Sequence, residues 1–281
     1  MPRLEKRDTH APVTAEPKGI VDPRGTGCRI RLGRYLPSEA LAPFVEHYWI
    51  VEWNLEGHAP EVQRVLPYPN ANLVFDHGQT AIFGVVRGVF DRKLEGAGHV
   101  LGVRFRVGGL RPFLDEPMSA LTDGTRPARP LLQCDERHAE ALVLDAGSDE
   151  AMVSAAESLL SGALPAPDPA VEQLQRVVAH AASAQGPAGV EALAQYAGVG
   201  VRALQRLFQE YVGVSPKWML RRYRLQEAAW RLARGEPVGL AQLAADLGYF
   251  DQAHLTRDFT KLVGVSPGDY QRSQNTSANR R

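Results

Sequence analysis

Two arginines, Arg206 and Arg257, occupy the same place in two similar segments. LQRLFQEY (204–211) and LTRDFTKL (255–262) both read L-x-R-x-F followed by an apolar position. A guanidinium is a planar fork that can bind guanine O6 and N7 with two parallel hydrogen bonds, and a glutamine such as Gln205 can do the same for adenine. The chemistry on offer is recognition of base edges in duplex DNA. A solvated helix face is the commoner use of such residues, and Glu210 and Asp258 offer the arginines ion-pair partners instead. Duplication weighs against that plainer use, since it does not explain why two segments carry arginine at the same place.

The elements that must position these residues are legible around them. The pentapeptide VGVSP closes both segments, at 212–216 and again at 263–267. Glycine ends one helix, serine caps the next, and proline suits that helix's first position. In the first copy, Val190, Leu193, Ala194 and Ala197 predict a short helix stopped by Gly198. Leu204, Leu207, Phe208 and Tyr211 then fall at i, i+3, i+4 and i+7, one buried stripe, with Arg202, Gln205, Arg206 and Gln209 around the rest of the surface. In the second, Leu243, Ala244 and Leu247 predict a short helix stopped by Gly248, and Leu255, Phe259 and Leu262 a second helix capped by Asp251. Gly198 maps to Gly248 at +50, but Leu204 maps to Leu255 at +51, so the second turn is one residue longer. Two short helices around a tight glycine turn, the second with a polar outer face, are a helix-turn-helix. The segment between the copies, PKWMLRRYRLQEAAWRLARGE, predicts one helix of roughly 17 residues, about 25 Å at 1.5 Å per residue. Such a rod can hold two reading heads about one DNA turn apart.

Over about 172–272 the chain resembles the AraC/XylS class of transcription regulators. The residues that carry the likeness are LAQYAGV…LQRLFQEYVGVSPKWMLRRYRLQEAAWRL and LAADLGYFDQAHLTRDFTKLVGVSPGDYQ. Members usually place Ser or Thr where this chain has Gly200, which is an acceptable cap. The resemblance implies that each second helix enters a major groove. It implies base contacts from Arg202, Gln205 and Arg206 in the first helix and from Gln252, Ala253 and Arg257 in the second. Ala253 can touch only a thymine methyl, and His254 beside it can substitute. Lys217, Arg221, Arg222 and Thr256 are the candidates for phosphate contact, which positions without specifying. The resemblance also implies an N-terminal domain that binds a small-molecule effector or dimerises, often a cupin-type β-barrel. Double-stranded DNA is the implied partner, RNA polymerase a further one, with a monomer or homodimer in the cytoplasm.

The N-terminal half reads differently. FVEHYWIVEW puts Val45, His47, Trp49, Val51 and Trp53 on one face at period two, and NLVFDH, AIFGVVRGVF and HVLGVRFRV are short Val-, Ile- and Phe-rich runs. These predict a barrel or sandwich, followed by helices in DERHAEALVLDAG and DEAMVSAAESLLSG. The expected class is α+β: a β-rich domain over 26–163, a linker at 164–170 marked by Pro165, Pro167 and Pro169, and an all-α double helix-turn-helix domain over 171–274. A leader (1–25) and a tail (275–281) are expected to be disordered. His47, Tyr48, Trp49, Trp53, Tyr68 and Phe105, with Arg104 or Arg106 to receive an anion, are candidates for an effector pocket. Core filling is the commoner use of any one of those aromatics.

Composition is consistent with this division. The net charge of zero hides 14 basic and 10 acidic residues over 168–281, a modest excess that suits a polyanion. No apolar run approaches a membrane span and no secretory leader is evident. Cys28 and Cys134 read as reduced thiols. GVSPG (264–268) matches G-x-S-x-G, but helix precedes it and Pro267 has no N–H for an oxyanion hole. Neither a P-loop nor a G-x-G-x-x-G is present, and the eight histidines form no cluster. No enzyme activity, metal or cofactor is therefore expected. The alternatives are a β-barrel enzyme fused to a DNA-binding tail and a protein-interaction module.

Overall fold

The computed structural model describes residues 10–13, 29–183, 186–234 and 239–278, with side chains to 274. The strands are β1 (Ile30–Tyr35), β2 (Val45–Asn54), β3 (Glu61–Val65), β4 (Asn72–Phe75), β5 (Ala81–Phe83), β6 (Phe90–Leu94), β7 (Ala97–Phe105) and β8 (Thr125–Arg126). Six of them form one antiparallel sheet in the order β1-β2-β7-β4-β5-β8, while β3 and β6 pair as a separate ribbon. The β-rich expectation holds, but the sheet is open: β1 and β8 are its edges, so it is not a closed barrel.

One face of this sheet carries Tyr48, Ile50, Leu73, Phe75, Ile82, Leu101, Val103 and Phe105. They pack with Ala139 and Val143 of α2 (Glu136–Leu144) and with Val153, Ala156 and Leu160 of α3 (Asp149–Ser161). Asp135 and Ser148 cap these two helices. A short helix, α1 (Arg129–Leu132), leads into them. The register of β2 shifts between Val45 and His47. Period two is lost there, because a bulge turns the following side chains to the other face. Val45 is therefore in the core, whereas His47, Trp49, Val51 and Trp53 lie on the face away from it. Trp49 and Trp53 lie over glycines of β7: a Cβ on Gly102 would stand 2.0 Å from the Trp49 ring and one on Gly98 2.6 Å from the Trp53 ring.

The helical half comprises α4 (Pro169–Ala182), α5 (Val190–Tyr196), α6 (Val201–Tyr211), α7 (Pro216–Ala233), α8 (Leu240–Asp246), α9 (Gln252–Val263) and α10 (Pro267–Ala278). Asp168 caps α4, and the same carboxylate accepts the Tyr211 hydroxyl at 2.7 Å. Two apolar cores form here, and the β-rich half contributes to both. Val85 and Val107 pack with Leu174, Leu193, Leu204 and Phe208. Leu66 and Val89 pack with Leu225, Leu243, Leu255 and Phe259.

Main-chain carbonyls of the N-terminal half complete the joint. Arg222 donates to Arg87 O (2.5 Å) and Gly88 O (3.1 Å), Gln226 to Leu66 O (3.0 Å), and Gln175 to Pro43 O (2.9 Å). At the termini, most of the expected leader lies outside the described residues, as does Cys28. Residues 10–13, however, hydrogen-bond alongside β1, with Val13 N on Arg34 O at 2.9 Å. Helix α10 runs on through 275–278, which composition assigns to the tail. Cys134 is a free thiol.

Candidate nucleic-acid interface

The two helix-turn-helix units are α5–α6 and α8–α9. Each short helix stops at a glycine in the left-handed region, Gly198 (φ 67°) and Gly248 (φ 70°). In each, the next residue closes the helix end in the same way: Val199 N donates to Ala194 O (3.1 Å) and Tyr249 N to Ala244 O (2.9 Å). Asp251 caps α9 by accepting from His254 N at 2.7 Å, while Gly200 begins α6 with no side-chain cap. The VGVSP signs act as their residues require. Gly213 (φ 89°) and Gly264 (φ 91°) turn the chain out of α6 and α9. Ser215 accepts from Trp218 N, and Ser266 from Asp269 N, to open α7 and α10. Leu204, Phe208, Leu255 and Phe259 are fully buried. That fixes the opposite faces outward: Arg202, Gln205, Arg206 and Gln209 on α6, and Gln252, Ala253, His254 and Arg257 on α9, are all exposed.

Electrostatically these faces are unspent. Neither Arg206 nor Arg257 takes up the acid beside it. Glu210 is held by Arg111, whose Nε donates to Oε1 at 2.7 Å. Asp258 is held by Arg221 through both carboxylate oxygens at 2.6 Å, with His254 Nε2 at 3.7 Å. Arg202, Arg206, Arg257 and Lys217 make no ion pair among the described residues. The His254 ring also meets the Tyr249 ring edge-on at 5.1 Å.

The structure redistributes the RRYR run of α7. Arg222 was expected at a phosphate, yet it is 2% exposed and lies in the joint, its guanidinium 4.6 Å over the Trp218 ring. Burial first, and then the charge of Arg221, bring its pKa down to about 10. No phosphate can reach it there. Arg221 is exposed but spent on Asp258, so it ties α7 to α9. Tyr223 packs near Tyr68, ring centroids 6.2 Å apart. Arg224, which the sequence did not single out, spans both units, donating to Ala188 O at 2.9 Å and Gly248 O at 3.4 Å. Of the expected phosphate contacts, Lys217 stays exposed and Thr256 half-buried. The other residues missed are Arg111 and Glu210. Only Glu210 carried a signal, as a possible partner of Arg206.

The expected effector-pocket residues do not converge on one cavity. Tyr48 and Phe105 belong to the core under the sheet. His47, Trp49, Trp53 and Arg104 lie on the other face. Arg104 donates to Asn70 Oδ1 (2.9 Å) and stands 4.4 Å over the Tyr68 ring. Burial, reinforced by Arg104 and Arg34, pushes the His47 imidazole down to about 3. Arg106 donates to Ala42 O (2.6 Å) and lines, with Val85, Met118 and Tyr211, a cavity of about 10 Å³ between the halves. That is room for about one water.

Two family models match the chain, one in each half. Residues 33–127 match a family described as "Domain of unknown function (DUF6597)", and residues 193–273 match a "Helix-turn-helix domain". An HTH-type transcriptional regulator of Haemophilus influenzae is 34% identical over 84 residues, 30% of this chain and 28% of that protein. A protein of Rhodococcus erythropolis named as the regulator of the thc operon is 32% identical over 129 residues, 41% of this chain and 39% of that protein. One of Streptomyces lividans, named as an AraC-like transcription regulator, is 35% identical over 80 residues, 28% of this chain and 26% of that protein. The chain thus spans well under half the length of these relatives. With their matched sequence, duplicated turns and the helix that joins them, residues 193–273 of this chain form an AraC-type double helix-turn-helix domain.

Proposed function

We propose that the protein is a sequence-specific transcription regulator that reads two successive major-groove segments with α6 and α9. The observation that carries this is the pair Arg206 and Arg257. Both stand exposed at equivalent places, and the neighbouring acids are committed elsewhere, to Arg111 and Arg221. Arg202, Gln205, Gln252, Ala253 and His254 join them as base contacts. Lys217 and Thr256 serve at phosphates; Arg221 and Arg222 are left out because their guanidiniums are already engaged. The 18 residues of α7 make a rod of about 27 Å, which suits heads that address adjacent turns. The N-terminal half serves as the regulatory half. A small-molecule effector would act on the half-buried sheet face of His47, Trp49, Trp53 and Arg104, from which the joint leads to both helix-turn-helix cores.

The deciding experiment is selection of bound duplexes from a random library, followed by Arg206→Ala and Arg257→Ala. Each should lose about 1–3 kcal/mol and relax preference at one base pair, the two positions lying about 10 base pairs apart. Unchanged preference in both variants would remove this reading.

A further inference from the structure

The extra residue in the second turn can be named. Val199 and Tyr249 are equivalent, since both close the preceding short helix through the same hydrogen bond. Val199 is followed at once by the cap of α6, Gly200. Tyr249 is followed by Phe250, and only then by the cap of α9, Asp251. Phe250 is thus the inserted residue, and its side chain is 94% exposed. Its position is fixed on both sides. Tyr249 is buried in the second apolar core with its ring against His254, and Asp251 holds the first turn of α9. A phenylalanine held on a rigid turn in full contact with water has forgone the burial that aromatic side chains ordinarily gain.

Its place says what would cover it. Phe250 stands two residues before Gln252, at the N-terminal end of α9, the helix on which Gln252, Ala253 and Arg257 are exposed. The N-terminal residues of a recognition helix are those that approach base edges. The major groove presents donors and acceptors on every base pair, and its apolar feature is the 5-methyl group of thymine. We propose that Phe250 is a base-reading residue that packs on a thymine methyl beside the position read by Ala253. The inference rests on the reading that α9 enters a major groove. It adds an apolar contact that the first helix-turn-helix, one residue shorter, does not have.

The test uses the full chain and a duplex enriched from a random library, with each thymine replaced in turn by deoxyuridine, which lacks only the methyl. The unaltered chain should bind about fourfold more weakly at one thymine, the worth of burying one methyl-sized group. That thymine should lie beside the base pair whose preference relaxes in Arg257→Ala. Phe250→Ala should bind with no difference between thymine and uracil there. Retention of the full discrimination by Phe250→Ala, or no sensitive thymine near the Arg257 position, overturns the proposal. A Phe250 that instead meets a protein surface would give this second outcome. The deoxyuridine scan on the unaltered chain is independent of how the variant folds. If Arg257→Ala relaxes its base pair while thymine and uracil are equivalent, this inference and the methyl contact of Ala253 fall, and the reading that α9 enters a major groove stands. If the library yields no enriched sequence, the reading of α9 falls with it.

Discussion

Arg111, in the short 3-10 turn Arg111–Phe113 that follows the last long strand, grips Glu210 of α6 with both Nε and Nη2 at 2.7 Å. Glu210 lies one helical turn beyond Arg206, the spacing at which opposite charges on a helix pair. The N-terminal half therefore keeps an acid away from Arg206, the arginine proposed to read a base. Arg111→Ala should release Glu210 to Arg206 and weaken DNA binding by about 0.4–1 kcal/mol, as expected for a half-exposed pair. Glu210→Gln added to that variant should restore affinity. Anisotropy titrations at fixed salt check both, and equal affinity of Arg111→Ala and the parent chain would deny Glu210 this influence.

Arg222 and Lys217 separate a joint residue from a proposed phosphate contact. Arg222→Met keeps the apolar stem but leaves the carbonyls of Arg87 and Gly88 without their donor, at a cost of about 1–3 kcal/mol. Urea unfolding should show that loss, with the salt dependence of DNA binding unchanged. Lys217→Ala should do the reverse, flattening the slope of log K against log salt by about 0.9 with little change in stability. If Arg222→Met flattened the slope instead, its guanidinium would have to leave the joint to bind DNA.

The duplicated glycines should not respond alike to alanine. Gly213 and Gly264 share a left-handed backbone, which costs a residue with a Cβ about 1–2 kcal/mol. A Cβ on Gly213 would also stand 2.6 Å from both Met118 O and Thr122 Oγ1, whereas on Gly264 the nearest atom is Arg64 Nη1 at 3.4 Å. Thr122 moreover donates to Gly213 O at 2.6 Å. Gly213→Ala should therefore be less stable than Gly264→Ala by about 1–3 kcal/mol, the cost of overpacking. Equal urea midpoints would mean that the first turn can lift off its seat freely.

His47 should make the N-terminal half sensitive to acid. Burial first, then Arg104 and Arg34, hold its pKa down to about 3 against an ordinary 6.5, while Glu46 stands 3.9 Å from its ring. Between those values the unfolded chain binds a proton that the folded chain refuses, so stability falls as pH drops from about 6.5 toward 3. At pH 4 the loss should be on the order of 2–3 kcal/mol, and His47→Gln should flatten the curve over that window. A variant with the same pH dependence as the parent would show that the imidazole is protonated in the fold.

What the sequence disclosed was local. Serine caps, glycine stops and the i, i+3, i+4 stripes depend on neighbours a few residues apart, and so α5, α6, α8 and α9 and their outward residues were readable. The role of RRYR was not. The face of α7 that becomes buried is decided by a loop 135 residues earlier in the chain, where Arg87 offers its carbonyl. The tryptophans of β2 show the same limit at shorter range. Alternation assigned them one face, but the register shift after Val45 moved that face off the core. Closure of the sheet depends on pairing between distant strands, and no local pattern separates an open sheet from a barrel. The one-residue offset between the turns was visible in the letters, while its solvent exposure required the folded chain.

Arg222 grips the β-rich half by peptide oxygens, groups that every amino acid provides. The identities of residues 87 and 88 can therefore drift over evolutionary time without loosening this hold, whereas inserting or deleting a residue in that loop would slide the oxygens past the guanidinium. What this latch measures is the path of the loop, so the β-rich half could change side chain by side chain while its mechanical link to the helix-turn-helix half stayed intact.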